Sequence, residues 1–191
     1  MTKSVEKQKV LKERSGHLEI IGETQAKLLL FRQGWNPYSR FLDVDKVDLI
    51  LRRSNGERTE YREIQVKYRR LWEGKEQQRW ESDLFSITAW FPAAKDAFAS
   101  HRSGLFVMFI FGYSDRRIEQ DVLIFRSRDL HKLIQASPLH KKGGEDRALF
   151  ISKSRSNSKW YVRLTRQKFT KIDATTCIDV TKYRNNYAIL G

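Results

Sequence analysis

Apolar side chains recur at helical spacing between residues 17 and 33. Leu18, Ile21, Leu28 and Leu29 fall on one stripe with Gln25, and Ala26 and Leu30 widen it. Gly34 follows as the expected C-cap. Residues 35–42 read as a short extended segment interrupted by Pro37. Between 45 and 53 the period changes to two, with Val47, Leu49 and Leu51 on one side, which predicts a strand. Ser54, Asn55, Gly56 and Glu57 form a turn signal, and 59–69 is the returning strand. On that strand Tyr61, Glu63, Gln65 and Lys67 share one face, while Ile64, Val66 and Tyr68 share the other.

The pattern is mixed over 80–100. Leu84, Ile87 and Phe91 are helically spaced, Pro92 interrupts, and a helix starting near Pro92 would bury Ala94, Ala97 and Phe98. Residues 105–111 are continuously apolar and predict a central buried strand. A second strand is expected at 121–125, then a short helix at 129–134 capped by Ser127. A hairpin over 148–152 and 160–164 turns at the polar run SRSNS, and a terminal helix spans 179–190. This order predicts an α/β fold with a central mixed β-sheet flanked by helices.

The chain of 191 residues suits one compact unit over 1–191, with a core at about 15–135 and a basic C-terminal extension at about 136–191. With 3 Pro and 10 Gly against 40% hydrophobic residues, collagen-like and mostly disordered readings are excluded. A single cysteine, Cys177, rules out an internal disulfide and a Cys-rich zinc site. The four histidines do not cluster in sequence. No apolar stretch approaches the length of a membrane span, and residues 1–16 lack the apolar segment of a signal peptide. The expectation is a cytoplasmic protein with no membrane association, nucleoid-associated if its source is bacterial.

Charge adds direction. Lys and Arg number 37 against 23 Asp and Glu, a formal net charge of +14. The excess is concentrated in 126–171, with 13 basic and 3 acidic side chains, whereas 80–125 carries 4 and 6. Lys and Arg that replace condensed counterions on phosphates favour a polyanionic partner. Lys141, Lys142, Lys153, Arg155, Lys159 and Arg163 are therefore expected to run along a DNA backbone, with Arg69 and Arg70 beside the reacting phosphate.

Four residues carry the candidate chemistry. Glu23 lies on the first helix, Asp48 interrupts the apolar run KVDLIL, and Gln65 and Lys67 sit two apart on the returning strand. The hairpin makes Asp48 and the Gln65/Lys67 pair neighbours, and Glu23 can lean in from the packed helix. Carboxylates and an amide are hard oxygen ligands suited to Mg²⁺. A metal there would polarise a phosphoryl oxygen and acidify a water, while a lysine orients that water and balances developing charge. Glu19 competes for the helix position, Asp43 and Asp45 for the strand position, and Glu63 could add a second acid.

The segments GHLEIIGETQAKLLLFRQGW, VDLIL and EIQVKY resemble the PD-(D/E)XK, or restriction-endonuclease-like, nuclease superfamily. The likeness covers about residues 15–70 and is greatest to the branch that writes its last motif as Q-x-K, which includes intron-associated homing and Holliday-junction-resolvase-like nucleases. Gln65 stands where most members carry an acid, and Val47 where the motif has Pro. The resemblance implies a restriction-endonuclease-like core, with Glu23, Asp48, Gln65 and Lys67 as catalytic residues. Asp48, Gln65 and Glu23 would hold Mg²⁺, for which Mn²⁺ would substitute. It implies an endonuclease acting on double-stranded DNA at specific sites, of restriction or homing type. A homodimer is expected, because one such site cuts one strand. The alternatives are a structure-specific nuclease such as a junction resolvase, and a catalytically inactive DNA-binding module with a nuclease-like core.

Overall fold

The structure, a computed structural model, describes residues 15–39, 46–71, 78–93, 104–113, 121–138 and 147–191. The first apolar segment forms α1 (Ser15–Arg32), but its buried face is Gly22, Ala26 and Leu30, and Leu28 of the expected stripe is 60% exposed, because the sheet meets the helix along the small residues. Gly34, at φ +79°, supplies the left-handed residue that lets the chain leave the helix. Three antiparallel strands follow: β1 (Asn36–Ser39), β2 (Leu49–Asn55) and β3 (Arg58–Leu71). The β2–β3 turn is Gly56-Glu57, between the paired residues Asn55 and Arg58, and Gly56 takes the positive φ that the tight turn demands. Pro37 stays within β1, an edge strand whose outward N–H groups are not needed for the sheet.

A short helix α2 (Arg79–Leu84) leads into β4 (Phe85–Ala93). The helical spacing of Ile87 and Phe91 therefore does not produce a helix there. Alternate burial against a second sheet decides the conformation, and Pro92 is accommodated because β4 is also an edge strand. The helix expected to bury Ala94, Ala97 and Phe98 lies outside the described residues. The apolar run becomes β5 (Leu105–Tyr113), which pairs in parallel with β3 and antiparallel with β6 (Asp121–Arg126). Helix α3 (Ser127–Ala136) begins one residue earlier than a Ser127 cap allows; Arg126 is its N-cap and Ser127 is buried inside it.

The expected hairpin forms as β7 (Arg147–Ser154) and β8 (Trp160–Arg163). The terminal helix does not form. Cys177–Asp179 instead adds to β8 as β9, and only two 3₁₀ turns follow, at Thr181–Tyr183 and Tyr187–Leu190. Asn185 at φ +48° breaks the chain between them.

The result is a mixed α/β fold with two sheets. One is five-stranded, ordered β1-β2-β3-β5-β6, and the other four-stranded, ordered β4-β7-β8-β9. Thus β4, from before the expected boundary near 135, shares a sheet with the basic C-terminal strands. Each face of the five-stranded sheet carries its own apolar cluster. One face packs Leu49, Leu51, Ile64, Val66 and Met108 against Ala26 and Leu30 of α1 and against Leu190. The other packs Val107, Phe109, Phe111 and Phe125 against α3 and the four-stranded sheet. Phe91 meets Phe109 edge-on at 4.8 Å, and Trp160 lies 4.7 Å from Phe111. At roughly 25 cal/mol per Å² of apolar surface buried, this seam between the sheets is a main source of stability. No helix of the described residues is long and apolar enough to cross a membrane.

Candidate functional site

The candidate residues surround one stretch of β3, residues 65–68. Pairing of β2 with β3 ends at Leu49 and Ile64. Beyond that point β3 continues for seven residues alongside β5. Asp48 stands where the ladder with β2 stops. Its main-chain N–H donates to the Ile64 carbonyl at 2.9 Å, and its carboxylate Oδ2 accepts from the Val66 N–H at 2.5 Å. The acid therefore occupies the position of the next strand carbonyl, satisfying a main-chain donor that the shortened β2 leaves behind. The strand expected from 45 thus begins only at Leu49, and Asp48 is an acceptor at its margin.

Gln65 and Lys67 pair with Val107 and Phe109, and paired residues share a face. Both side chains therefore lie on the side facing the four-stranded sheet, the face of Phe109 and Phe111. Gln65 is 3% exposed and Lys67 half-buried. On the other face, α1 crosses β3 at close range. A Cβ on Gly22 would overlap the Tyr68 Cβ, and one on Gly112 would overlap the Tyr68 ring. Two glycines thus admit Tyr68 between helix and sheet. Glu23, next to Gly22 and half-buried, is carried to the same stretch of β3 from the α1 side. Glu23, Asp48, Gln65 and Lys67 are all engaged by neighbouring groups. Among the competitors, Glu19 is exposed and Glu63 half-buried on the Gln65 face; Asp43 and Asp45 lie outside the described residues.

The suitability of this donor set for Mg²⁺ rests on its oxygen atoms. Among the described residues no three His, Cys, Asp or Glu side chains gather into a group able to hold a metal ion. Mg²⁺ sites commonly use one or two carboxylates with waters and substrate oxygens. Asp48, the Gln65 amide and Glu23 are oxygen donors of the kind such an ion takes, with Gln65 on the face of the four-stranded sheet and Glu23 on the α1 side.

The basic residues divide. Lys141, Lys142 and the Arg70 side chain lie outside the described residues. Arg163 is not a surface contact: it is 2% exposed, forms an ion pair with Glu81, and lies 4.9 Å from the Trp80 ring and 4.8 Å from that of Phe150. Lys153 is turned inward as well, bonded to buried Asp121 at 2.9 Å. Asp121 also holds Arg184 at 2.5 Å. Burying a carboxylate requires cationic partners, and these two residues meet that requirement. Lys159 is exposed but paired with Asp179 at 3.0 Å, whose hydrogen bond pushes the lysine pKa up. Arg155 is exposed, with its Nε donating to the Ser82 carbonyl, and Arg69 is half-buried on the Phe111 face. Exposed cations also lie at Lys168 and Lys171 in the loop between β8 and β9. Phe169 and Ile172 anchor this loop against Phe85 and Tyr161.

No known protein family, curated protein or solved structure matches the chain.

Proposed function

We propose that this protein is a metal-dependent deoxyribonuclease with a restriction-endonuclease-like core, cutting double-stranded DNA at specific sites. One observation carries the reading. The Asp48 carboxylate is bound to the main chain of the Gln65–Lys67 segment, so the acid and the Q-x-K pair form one local unit. A Mg²⁺ ion would be held by Asp48 and Gln65, with Glu23 reaching in from α1, and would supply polarisation of a phosphoryl oxygen and acidification of a water. Lys67 would orient the attacking water and balance charge on the phosphorus. The Val66 amide holds Asp48 in place, and the +14 net charge favours the polyanionic substrate.

The test is cleavage of duplex DNA with Mg²⁺ or Mn²⁺. Lys67→Ala and Asp48→Asn should each reduce the rate at least 100-fold while DNA binding persists. Cleavage by either variant at the parent rate overturns the assignment.

A second reading is favoured by the burial of Gln65, which is 3% exposed and lies where the superfamily places a metal-facing acid. On that reading the core binds DNA without cutting it. DNA affinity in a protein that cleaves neither with Mg²⁺ nor with Mn²⁺ would select it.

A further inference from the structure

The face of the five-stranded sheet that carries Gln65 is covered by the second sheet only along part of its width. Register places Asn36, Arg52 and Tyr61 in one cross-strand row, and Tyr38, Ile50 and Glu63 in the next. Asp48 and Gln65 follow, then Lys67. All share one face, opposite the Leu49, Leu51 and Ile64 cluster. Exposure falls along it from the tyrosines to Gln65 and rises again at half-buried Lys67. Tyr61 is 59% and Tyr38 48% exposed, Arg52 is exposed, Glu63 is half-buried, and Gln65 is 3% exposed. The candidate site therefore lies where an open sheet face passes under the four-stranded sheet.

That open face has a specific composition. Two tyrosines stand two strands and one pleat repeat apart, about 12 Å between Cα atoms. Arg52 lies directly opposite Tyr61 and diagonal to Tyr38. Asn36 Nδ2 donates to the Tyr38 hydroxyl at 2.7 Å, which lays that ring back along its strand. Exposed rings beside a guanidinium are the elements of a base-stacking platform, because every base has a π-face and the phosphate between two bases needs a cation. A duplex keeps its bases stacked inside, so these rings suit bases that have left a helix.

We propose that Tyr38, Arg52 and Tyr61 bind a single-stranded DNA segment, an unpaired flank of the proposed duplex substrate, and lead it toward Asp48 and Lys67. The two rings stack on bases and Arg52 contacts the intervening phosphate. This proposal rests on the nuclease reading only for the direction of travel. The platform itself follows from the open face and the net charge of +14, which draws in a polyanion.

The test is fluorescence anisotropy with a labelled DNA strand of roughly 12 nucleotides in EDTA, with the same sequence as a duplex for comparison. Tyr38→Ala and Tyr61→Ala should each lower single-strand affinity by roughly 5- to 150-fold. The corresponding Phe variants should retain it, and duplex affinity should change less. Arg52→Ala should flatten the salt dependence by about one neutralised phosphate. All these side chains are exposed, so the parent melting temperature should persist. If the Ala variants bind the single strand as the parent does, the platform is refuted whether or not the protein cleaves DNA. If they lose it while the parent fails to cleave, the platform stands and the nuclease reading falls. Should the tyrosine variants instead turn a dimer into a monomer in sedimentation, the face is a self-interface and the proposal is overturned.

Discussion

Asp48 has a structural duty, and the catalytic one proposed for it can be tested separately. Its carboxylate accepts the Val66 N–H, so Asp48→Ala leaves a main-chain donor without that partner, at about 1–3 kcal/mol. Asp48→Asn retains an acceptor oxygen at the same reach and should melt close to the parent, which makes it the cleaner probe of chemistry. Gln65 gives a sharper test. At 3% exposure, Gln65→Glu places a carboxylate in a dry site, lowering stability by about 1–3 kcal/mol without metal. If the residue faces a metal, added Mg²⁺ should restore the melting temperature, and the Mg²⁺ midpoint for cleavage should fall. A melting temperature of Gln65→Glu that ignores Mg²⁺ would remove Gln65 from the metal site.

Among the described α-helices, α2 is the shortest, and side chains fix its place. Glu81 closes a capping box with Gln78, accepting the Gln78 N–H at 2.8 Å, and its other oxygen pairs with buried Arg163. Removing one partner of a buried ion pair leaves a charge without compensation, so Glu81→Ala should cost about 3–5 kcal/mol by denaturant titration. Arg163→Met leaves the buried Glu81 carboxylate without its partner and should cost a similar amount, whereas Glu81→Gln combined with Arg163→Met, with no buried charge left among Trp80, Phe150 and Phe169, should cost less than either single change. A double variant no more stable than the single ones would show that the guanidinium packs rather than pairs. The same pair explains why the charge pattern along the chain points wrongly to Arg163 as a phosphate ligand. Lys159 and Arg166 flank it at a distance of a few residues, but its partner lies 82 residues away.

For the molecule as a whole, the basic segment is partly structural. Lys153 joins the four-stranded sheet to Asp121 of the five-stranded one, so Lys153→Glu should destabilise the protein before it affects DNA. Lys168 and Lys171 sit exposed on the loop anchored by Phe169. Reversing both to Glu should leave the melting temperature unchanged and reduce the salt slope of duplex binding by roughly 0.9 for each phosphate no longer neutralised. An unchanged slope between about 50 and 200 mM salt would assign those charges to solubility. Elements with a clear period or a continuous apolar run were legible in the sequence, namely α1, the β2–β3 hairpin, β5, β6 and the β7–β8 hairpin. Those settled by distant partners were not. β4 becomes a strand because β7 pairs with it, and 177–190 is not a helix because β8 and β6 take its polar groups. In the candidate site, the shared face of Gln65 and Lys67 followed from period two alone. The Asp48–Val66 bond and the burial of Gln65 could not be read, because they depend on where β2 stops and on what the second sheet covers.

The segment after the second sheet has a further consequence. Asn185 exchanges bonds with Val122 on the edge strand β6, and the Arg62 guanidinium holds the Leu190 carbonyl at 2.7 Å on the far side of the sheet. Leu190 is fully buried in the cluster of Trp35 and Leu51. On the ribosome, α1 and the β2–β3 hairpin emerge more than a hundred residues before the side chains that finish their core. Until residue 190 follows, the nascent chain presents an unpaired strand edge and an unfilled apolar surface, the two features that chaperones recognise and aggregates exploit. Folding of the half that carries Asp48 and Lys67 thus waits for residue 190, although that half precedes it in the chain.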